Sequence, residues 1–193
     1  YMKKILIMLA NPDKDSFNGR LAKAYAAGAK KSGNKVKFLA LGDLKFNPIL
    51  HKGYKEIQAL EPDLLSAQES IKWADHIALF YPTWGGTMPA ILKGFFDRIF
   101  LPGFAFSFHK KGSGWDKLLK GRTAHIIATM DSPPLINCLI LRGASERIIS
   151  TGIFGFCGIK TKKKIKIGAV KNFSDEKKEK WVGKMKELGG RLS

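Results

Sequence analysis

Two cysteines in 193 residues, Cys138 and Cys157, are too few for a disulfide scaffold. Neither sits in a CxxC pair and no His/Cys cluster has metal-ligand spacing, so no metal site is expected. This scarcity fits a reduced, cytoplasmic chain. Long apolar runs are also missing. None approaches the roughly 18 residues that a membrane span needs, so no transmembrane segment is expected, and the Ile5–Leu9 run is too short for a secretory signal. Acids are few: 16 Asp and Glu stand against 34 Lys and Arg, a net charge of +18. The imbalance predicts attraction to polyanions, whether nucleic acid, membrane surface or anionic cofactor. No helix-turn-helix, zinc-finger or RNP signature accompanies it, so no specific nucleic-acid partner is expected. Absent too are GxGxxG and the Walker GKS/T, which excludes a Rossmann fingerprint and a P-loop.

What is present reads as a single α/β domain over residues 2–193, with Tyr1, ahead of Met2, set aside as an expression remnant. Its centre is residues 76–101. Ile77 to Phe80 are continuously apolar, as in a strand buried on both faces. Pro82 ends that strand, Gly85-Gly86 turn the backbone sharply, and Pro89 suits the first turn of a helix. Ile91, Leu92, Phe95, Phe96, Ile99 and Phe100 then recur at helical spacing, with Lys93, Asp97 and Arg98 interleaved.

Other elements follow the same logic. Lys3 to Ala10 reads as the first strand, about Asn18 to Lys31 as a helix, and Val36, Phe38 and Leu41 as the second strand. Residues 42–62 are irregular, and Pro62 to Ala74 is helical. Phe104 to Phe108 alternates large and small residues, as a strand or an extended aromatic arm. Thr123 to Met130 is the fourth strand, Ala144 to Cys157 a helix closed by Gly158, and Ile165 and Ile167 mark the fifth strand. Ser174 caps a last helix. Lys160, Lys162, Lys163, Lys164 and Lys166 read as the lysine guard of an edge strand. Cys157, between Phe156 and Ile159, reads as a buried small hydrophobe. Strands alternating with helices give a doubly wound α/β fold. Ligands bind such sheets beyond the carboxyl ends of the strands. The loops there are Asn11 to Asn18, Pro82 to Gly86 and Thr129 to Pro134. A strand, polar loop and helix opening the chain is a phosphate site by physics. Ser16 and Asn18 are its side-chain donors, or else helix caps.

The run Tyr81-Pro82-Thr83-Trp84, then Gly86-Thr87-Met88-Pro89-Ala90, Leu92-Lys93-Gly94-Phe95-Phe96-Asp97-Arg98 and Phe100 resembles the flavodoxin-like NAD(P)H:quinone oxidoreductases. So does Leu101-Pro102-Gly103-Phe104-Ala105-Phe106. The resemblance implies a flavodoxin-like five-stranded parallel sheet of order 2-1-3-4-5 with helices on both faces. It implies a flavin cofactor: FMN, since little C-terminal chain is left to wrap an adenosine half, with FAD the alternative. NADPH or NADH would donate electrons to a quinone or similar small electrophile. It also implies a homodimer with active sites between subunits. Carried over residue by residue, Ser16, Phe17 and Asn18 grip the flavin phosphate. The backbone of Thr83, Trp84, Gly85 and Gly86, after Pro82, lines the ring edge. Aromatics around the pocket, Trp84, Phe104 and Phe106 among them, could stack a flat acceptor. No residue is assigned proton transfer, because the flavin carries the chemistry; Tyr81 and His109 are the two side chains of suitable type. Three departures stand out. Asn11 replaces a His common in relatives, Gly85 replaces a second bulky aromatic, and Thr129-Met130-Asp131-Ser132 replaces a Thr- and Gly-rich loop. Asp131 either bonds the flavin or caps the next helix. Two other readings fit the same fold: a flavodoxin-type electron carrier, against which the basic charge speaks, and a flavin-binding ancillary subunit.

Overall fold

Apolar runs between polar loops become the three central strands of one sheet, and lysine-bearing segments its two edges. A computed structural model describes all residues except 1, 54, 134, 136–138, 141 and 193, so Pro134 and Cys138 lie outside the described residues. In chain order the elements are β1 (Lys4–Leu9), α1 (Phe17–Lys31), β2 (Lys35–Ala40), α2 (Pro62–Trp73), β3 (His76–Pro82), α3 (Ala90–Ile99), β4 (Phe106–Phe108), β5 (Trp115–Lys117), β6 (Thr123–Thr129), α4 (Ala144–Arg147), β7 (Lys160–Ile167) and α5 (Asp175–Gly190). The main sheet runs β2-β1-β3-β6-β7, all parallel. Counting its strands alone, the order is 2-1-3-4-5, the flavodoxin-like arrangement the sequence implied.

Every residue of β3 is buried, as its unbroken apolar run requires of a central strand. Alternation splits its side chains between two cores. Ile77, Leu79 and Tyr81 join α2, α3 and Phe154 on one face. Ala78 and Phe80 join Leu21, Tyr25 and Met185, from α1 and α5, on the other. Helices α1 and α5 approach closely because Gly28 and Gly189 carry no side chain: a Cβ on Gly189 would lie 2.1 Å from the Tyr25 carbonyl oxygen. β7 is an edge strand carrying five lysines, with a register shift opposite Ala124 and His125. Charge and bulge together block further strand pairing.

Four details differ from the sequence reading. Leu41 belongs to a 3-10 turn, Leu41–Asp43, and not to β2. The Phe104–Phe108 arm is half of a small antiparallel hairpin whose partner strand is β5. Three-residue strands are too short to leave a period. After α4 the helix widens into π-type turns over Ile148–Gly155, where Gly152 and Gly155 relax the backbone. Arg98, interleaved in α3 as though on a polar face, is fully buried. Its guanidinium donates to the carbonyls of Asn47 and Ala59 and to both Glu61 carboxylate oxygens, at 3.2 and 2.9 Å. It thereby ties the irregular connection 44–61 to α3.

Candidate functional site

Three loops meet at the carboxyl ends of β1, β3 and β6. In the first, Asn11 Oδ1 accepts the Asp13 N–H at 3.0 Å, and Asp13 Oδ1 accepts the Asp15 N–H at 2.8 Å. These are Asx turns, which polar residues in this spacing favour. Ser16 is the N-cap of α1: its Oγ accepts from Gly19 N at 3.3 Å and donates to the Asp13 carbonyl at 2.6 Å. Among the described residues no acceptor reaches the N–H of Phe17 or Asn18. The first turn of α1 also holds no acid, so the positive end of the helix is uncompensated. Gly19 is required by contact: a Cβ there would stand 2.0 Å from the Lys14 carbonyl oxygen. Gly42 is required likewise, at 2.2 Å from the Pro12 carbonyl oxygen. Neither contact is readable from composition or period, because each joins a glycine to a backbone oxygen. The Phe17 ring turns away and meets Phe173 edge-on at 6.3 Å.

The second loop follows Pro82, the last residue of β3. Trp84 and Thr87 exchange backbone hydrogen bonds at 2.9 and 3.0 Å across Gly85 and Gly86. Both glycines are left-handed, with φ of 55° and 79°, as the tightest two-residue hairpin turn demands. Thr83 N donates to Thr129 O at 2.7 Å. Two of the four amides expected at a ring edge, those of Thr83 and Trp84, are therefore committed within the protein. Those of Gly85 and Gly86 have no acceptor among the described residues. Space beside Gly85 is open, and the Trp84 indole is 52% exposed at the rim.

The third loop is joined to the first. Asn18, only 3% exposed, donates from Nδ2 to Thr129 Oγ1 at 2.6 Å. Met130 N donates to Ile167 O at 2.9 Å. Asp131 Oδ1 accepts the Lys171 N–H at 3.2 Å, so the cap it provides serves the 3-10 turn Val170–Asn172. Among the described residues, the buried side-chain atoms on these loops that lack a hydrogen-bond partner include Asn18 Oδ1 and Thr83 Oγ1. A buried polar atom left unpaired costs about 1–3 kcal/mol, so a water or a ligand group is expected to meet it. The site thus offers unpaired amides at a helix N-terminus, a glycine turn with open space beside it, and an exposed indole.

The other candidates lie elsewhere. Tyr81 is buried beneath the third loop, with its hydroxyl 3.0 Å from Ser145 Oγ. Burial pushes its proton affinity up, and the neighbouring Glu146 adds to that. His109 is on the β4–β5 hairpin, 3.4 Å from Asp116. Phe106 lines an apolar cavity of about 660 Å³ with Phe96, Phe100, Phe108, Ile153 and Phe156, between α3, the hairpin and the π-helical turns. Neither Trp84 nor Phe104 reaches that cavity, and no residue of the three loops lines it. Trp115 stacks on Phe156 with ring centroids 4.5 Å apart, and its indole N–H donates to the Phe156 carbonyl. Cys157 is buried, which pushes its thiol up to about 12.

Comparison with known proteins gives this geometry a context. The family described as having a flavodoxin-like fold matches residues 3–188. NAD(P)H dehydrogenase [quinone] 1 of Rattus norvegicus is 28% identical over 184 residues, which cover 81% of this chain and 65% of the relative. This chain therefore spans less than two thirds of that relative's length. An uncharacterized NAD(P)H oxidoreductase of Haemophilus influenzae is 31% identical over 171 residues, covering 80% of this chain and 78% of the other. Among solved structures, an FMN-dependent NADH-azoreductase of Bacillus anthracis in complex with FMN superimposes with a TM-score of 0.75. It is 19% identical, with 98% of this chain and 99% of the other covered, a likeness of fold.

Proposed function

Because the chain belongs to the family of flavodoxin-like fold, we propose that it is a flavin-dependent NAD(P)H oxidoreductase. It takes FMN as cofactor, NADPH or NADH as donor, and a quinone or similar small electrophile as acceptor, in a cytoplasmic setting. The names of the rat and Haemophilus influenzae relatives support the donor, the rat relative the acceptor class and the Bacillus anthracis structure the cofactor. Residues 2–193 act as one domain.

One observation carries the reading. The unpaired amides of Phe17 and Asn18 and the orphaned Asn18 Oδ1 and Thr83 Oγ1 lie on loops that converge at one end of the sheet. An anionic phosphate suits the first pair. A flat heterocycle carrying both donors and acceptors suits the second. When bound, FMN supplies two-electron chemistry between a nicotinamide and an acceptor. The protein's part is binding and orientation. Ser16 holds the α1 turn open so that its amides face the phosphate, and Asn11 shapes the loop before it. Pro82 ends the strand, and Gly85 and Gly86 bring their N–H groups to the ring edge. Asn18 with Thr129, and Met130 and Asp131 with the segment beyond β7, keep the third loop in register with the first.

We also assign the apolar cavity between α3 and the hairpin to a second copy of the chain. Phe108 stands exposed at its mouth, as a residue awaiting a partner surface does. The oxidoreductase reading is tested by titrating the purified chain with FMN and following donor-dependent bleaching of the flavin absorption.

A further inference from the structure

A parallel sheet gathers the starts of its strands at one end, here the end opposite the three site loops. Register sets Lys4 beside Lys35, and Thr123 beside Lys160. Backbone hydrogen bonds lace the approaches together. Lys35 N donates to Lys3 O at 2.9 Å, Asp75 N to Lys4 O at 2.8 Å, Thr123 N to Asp75 O at 3.0 Å and Lys160 N to Arg122 O at 2.9 Å. In the stretches 2–4, 32–35, 74–76, 120–123 and 158–160 the cations are Lys3, Lys4, Lys35, Lys120, Arg122 and Lys160, and the one acid is Asp75. The Asp75 carboxylate accepts the Lys4 N–H at 2.9 Å. Helix α1 ends at the same place, in Lys30 and Lys31, since Asn34 N donates to Ala29 O and Asn34 Oδ1 accepts the Lys3 N–H. Lys4, Lys30, Lys31, Lys35, Lys120 and Lys160 are exposed. None is in an ion pair among the described residues. At the other end the segments after β1, β2 and β6 carry Asp13, Asp15, Asp43 and Asp131.

Structural roles cover part of this set. Lys35 and Lys160 open the two edge strands, where lysine blocks further pairing. Lys30 and Lys31 suit the negative end of α1. Arg122 donates to the carbonyls of Ile71 and Lys72 at the end of α2, at 3.0 and 2.7 Å. Lys3, Lys4 and Lys120 have no such role: they precede β1 and β6, which are interior strands, and strands carry little net dipole. Nor does fold stability ask that acids be kept away. A polyanion does. Neighbouring strands lie about 4.8 Å apart, so the row from β2 to β7 spans roughly 19 Å. That reaches the phosphates of both strands across a duplex groove, about 6 Å wide on the minor side and 12 Å on the major. The exposed large aliphatics in these approaches stand singly, Met2 before β1 and Leu118 before β6, so the acyl boundary of a bilayer finds no cluster to take up. A second copy would set like charge against like.

We propose that the amino end of the sheet binds the phosphate backbone of duplex nucleic acid. Lysines on a rigid sheet meet phosphates, and no recognition helix or ribbon accompanies them, so binding is independent of base sequence. The surface lies away from the three site loops and leaves them open while the chain is bound.

The test is fluorescence anisotropy of a labelled DNA duplex of mixed sequence, titrated with the full chain. With about four phosphate contacts, affinity is expected to fall about a hundredfold between roughly 50 and 200 mM salt. K4Q/K120Q should weaken binding and make the slope of log affinity against log salt shallower by about two, near 0.9 per lost contact. K177Q/K180Q removes as much charge from exposed positions in the first turns of α5, at the other end of the sheet, and should bind as the parent does. Urea midpoints of both variants should match the parent. Failure to bind the duplex at the lower salt overturns the proposal. So does K177Q/K180Q weakening binding as much as K4Q/K120Q, which would leave net charge alone at work. Tighter binding to phosphatidylglycerol vesicles than to the duplex overturns it too.

Discussion

The side-chain amide of Asn18 meets the hydroxyl of Thr129 at 2.6 Å, a bond between residues 111 positions apart. It couples α1, whose N-terminus is proposed to hold the phosphate, to the loop on the far side of the site. Asn18 is buried and its second amide atom has no partner. Asn18→Ala should therefore weaken FMN binding by about tenfold, the worth of one to two hydrogen bonds. Thr129→Val, which removes the coupling and leaves the Asn18 amide in place, should weaken it less. Quenching of FMN fluorescence on titration measures both.

Arg98 bears on stability and not on the site. Its guanidinium is buried against Glu61 and two loop carbonyls. Arg98→Ala leaves those acceptors unpaired and should cost about 3–5 kcal/mol. Lysine cannot reproduce the planar fork, so Arg98→Lys should recover only part of the loss. Urea denaturation reads both, and FMN affinity of the folded fraction should be unchanged.

Acid should destabilise the fold through a cluster at the opposite end of the sheet. Tyr25 Oη lies 2.8 Å from His125 Nδ1 and 3.2 Å from His76 Nε2, and His76 Nδ1 lies 2.8 Å from Thr123 Oγ1. Burial, with His125 and Lys3 adding to it, pushes His76 down to about 3. Burial, with Lys163 adding to it, pushes His125 down to about 4. In the unfolded chain both histidines take up protons near pH 6.5. Between about pH 6.5 and 3 the unfolded state thus binds more protons, and stability falls as pH falls. The contribution is fully present above pH 6.5 and lost as pH drops through the folded values. Urea midpoints should decline across that window. His125→Gln, which keeps a polar partner for Tyr25 and cannot titrate, should flatten the decline.

Phe108 tests the assignment of the apolar cavity to a second copy. Light scattering should give twice the chain mass for the parent protein. Phe108→Asp, which puts a charge at the cavity mouth, should give the monomer mass. A parent protein that is monomeric at high concentration would withdraw the assignment.

Much of this was legible in the sequence because burial leaves a period. The unbroken apolar stretch at Ile77–Phe80 pointed to a central strand, and the lysines of β7 to an edge. The glycine pair after Trp84 announced a tight turn, and Ser16 announced a helix start. What stayed hidden was whatever depends on partners far apart in the chain. No local pattern says that Thr129 is the partner of Asn18, or that the Thr83 and Trp84 amides are already bonded inside the protein. Nor does one say that the polar residue in the last turn of α3 points inward to hold a loop. The β4–β5 hairpin escaped because three-residue strands have no room for alternation. The π-helical turns escaped because side-chain spacing does not separate them from an ordinary helix.

The central claim is tested most directly by the visible absorption spectrum of the purified chain, recorded with FMN and then with NADPH under anaerobic conditions. A bound flavin band that NADPH bleaches, and that a quinone restores, is the predicted result. A chain that leaves FMN free in solution at saturating concentration, with the fold intact, would contradict it.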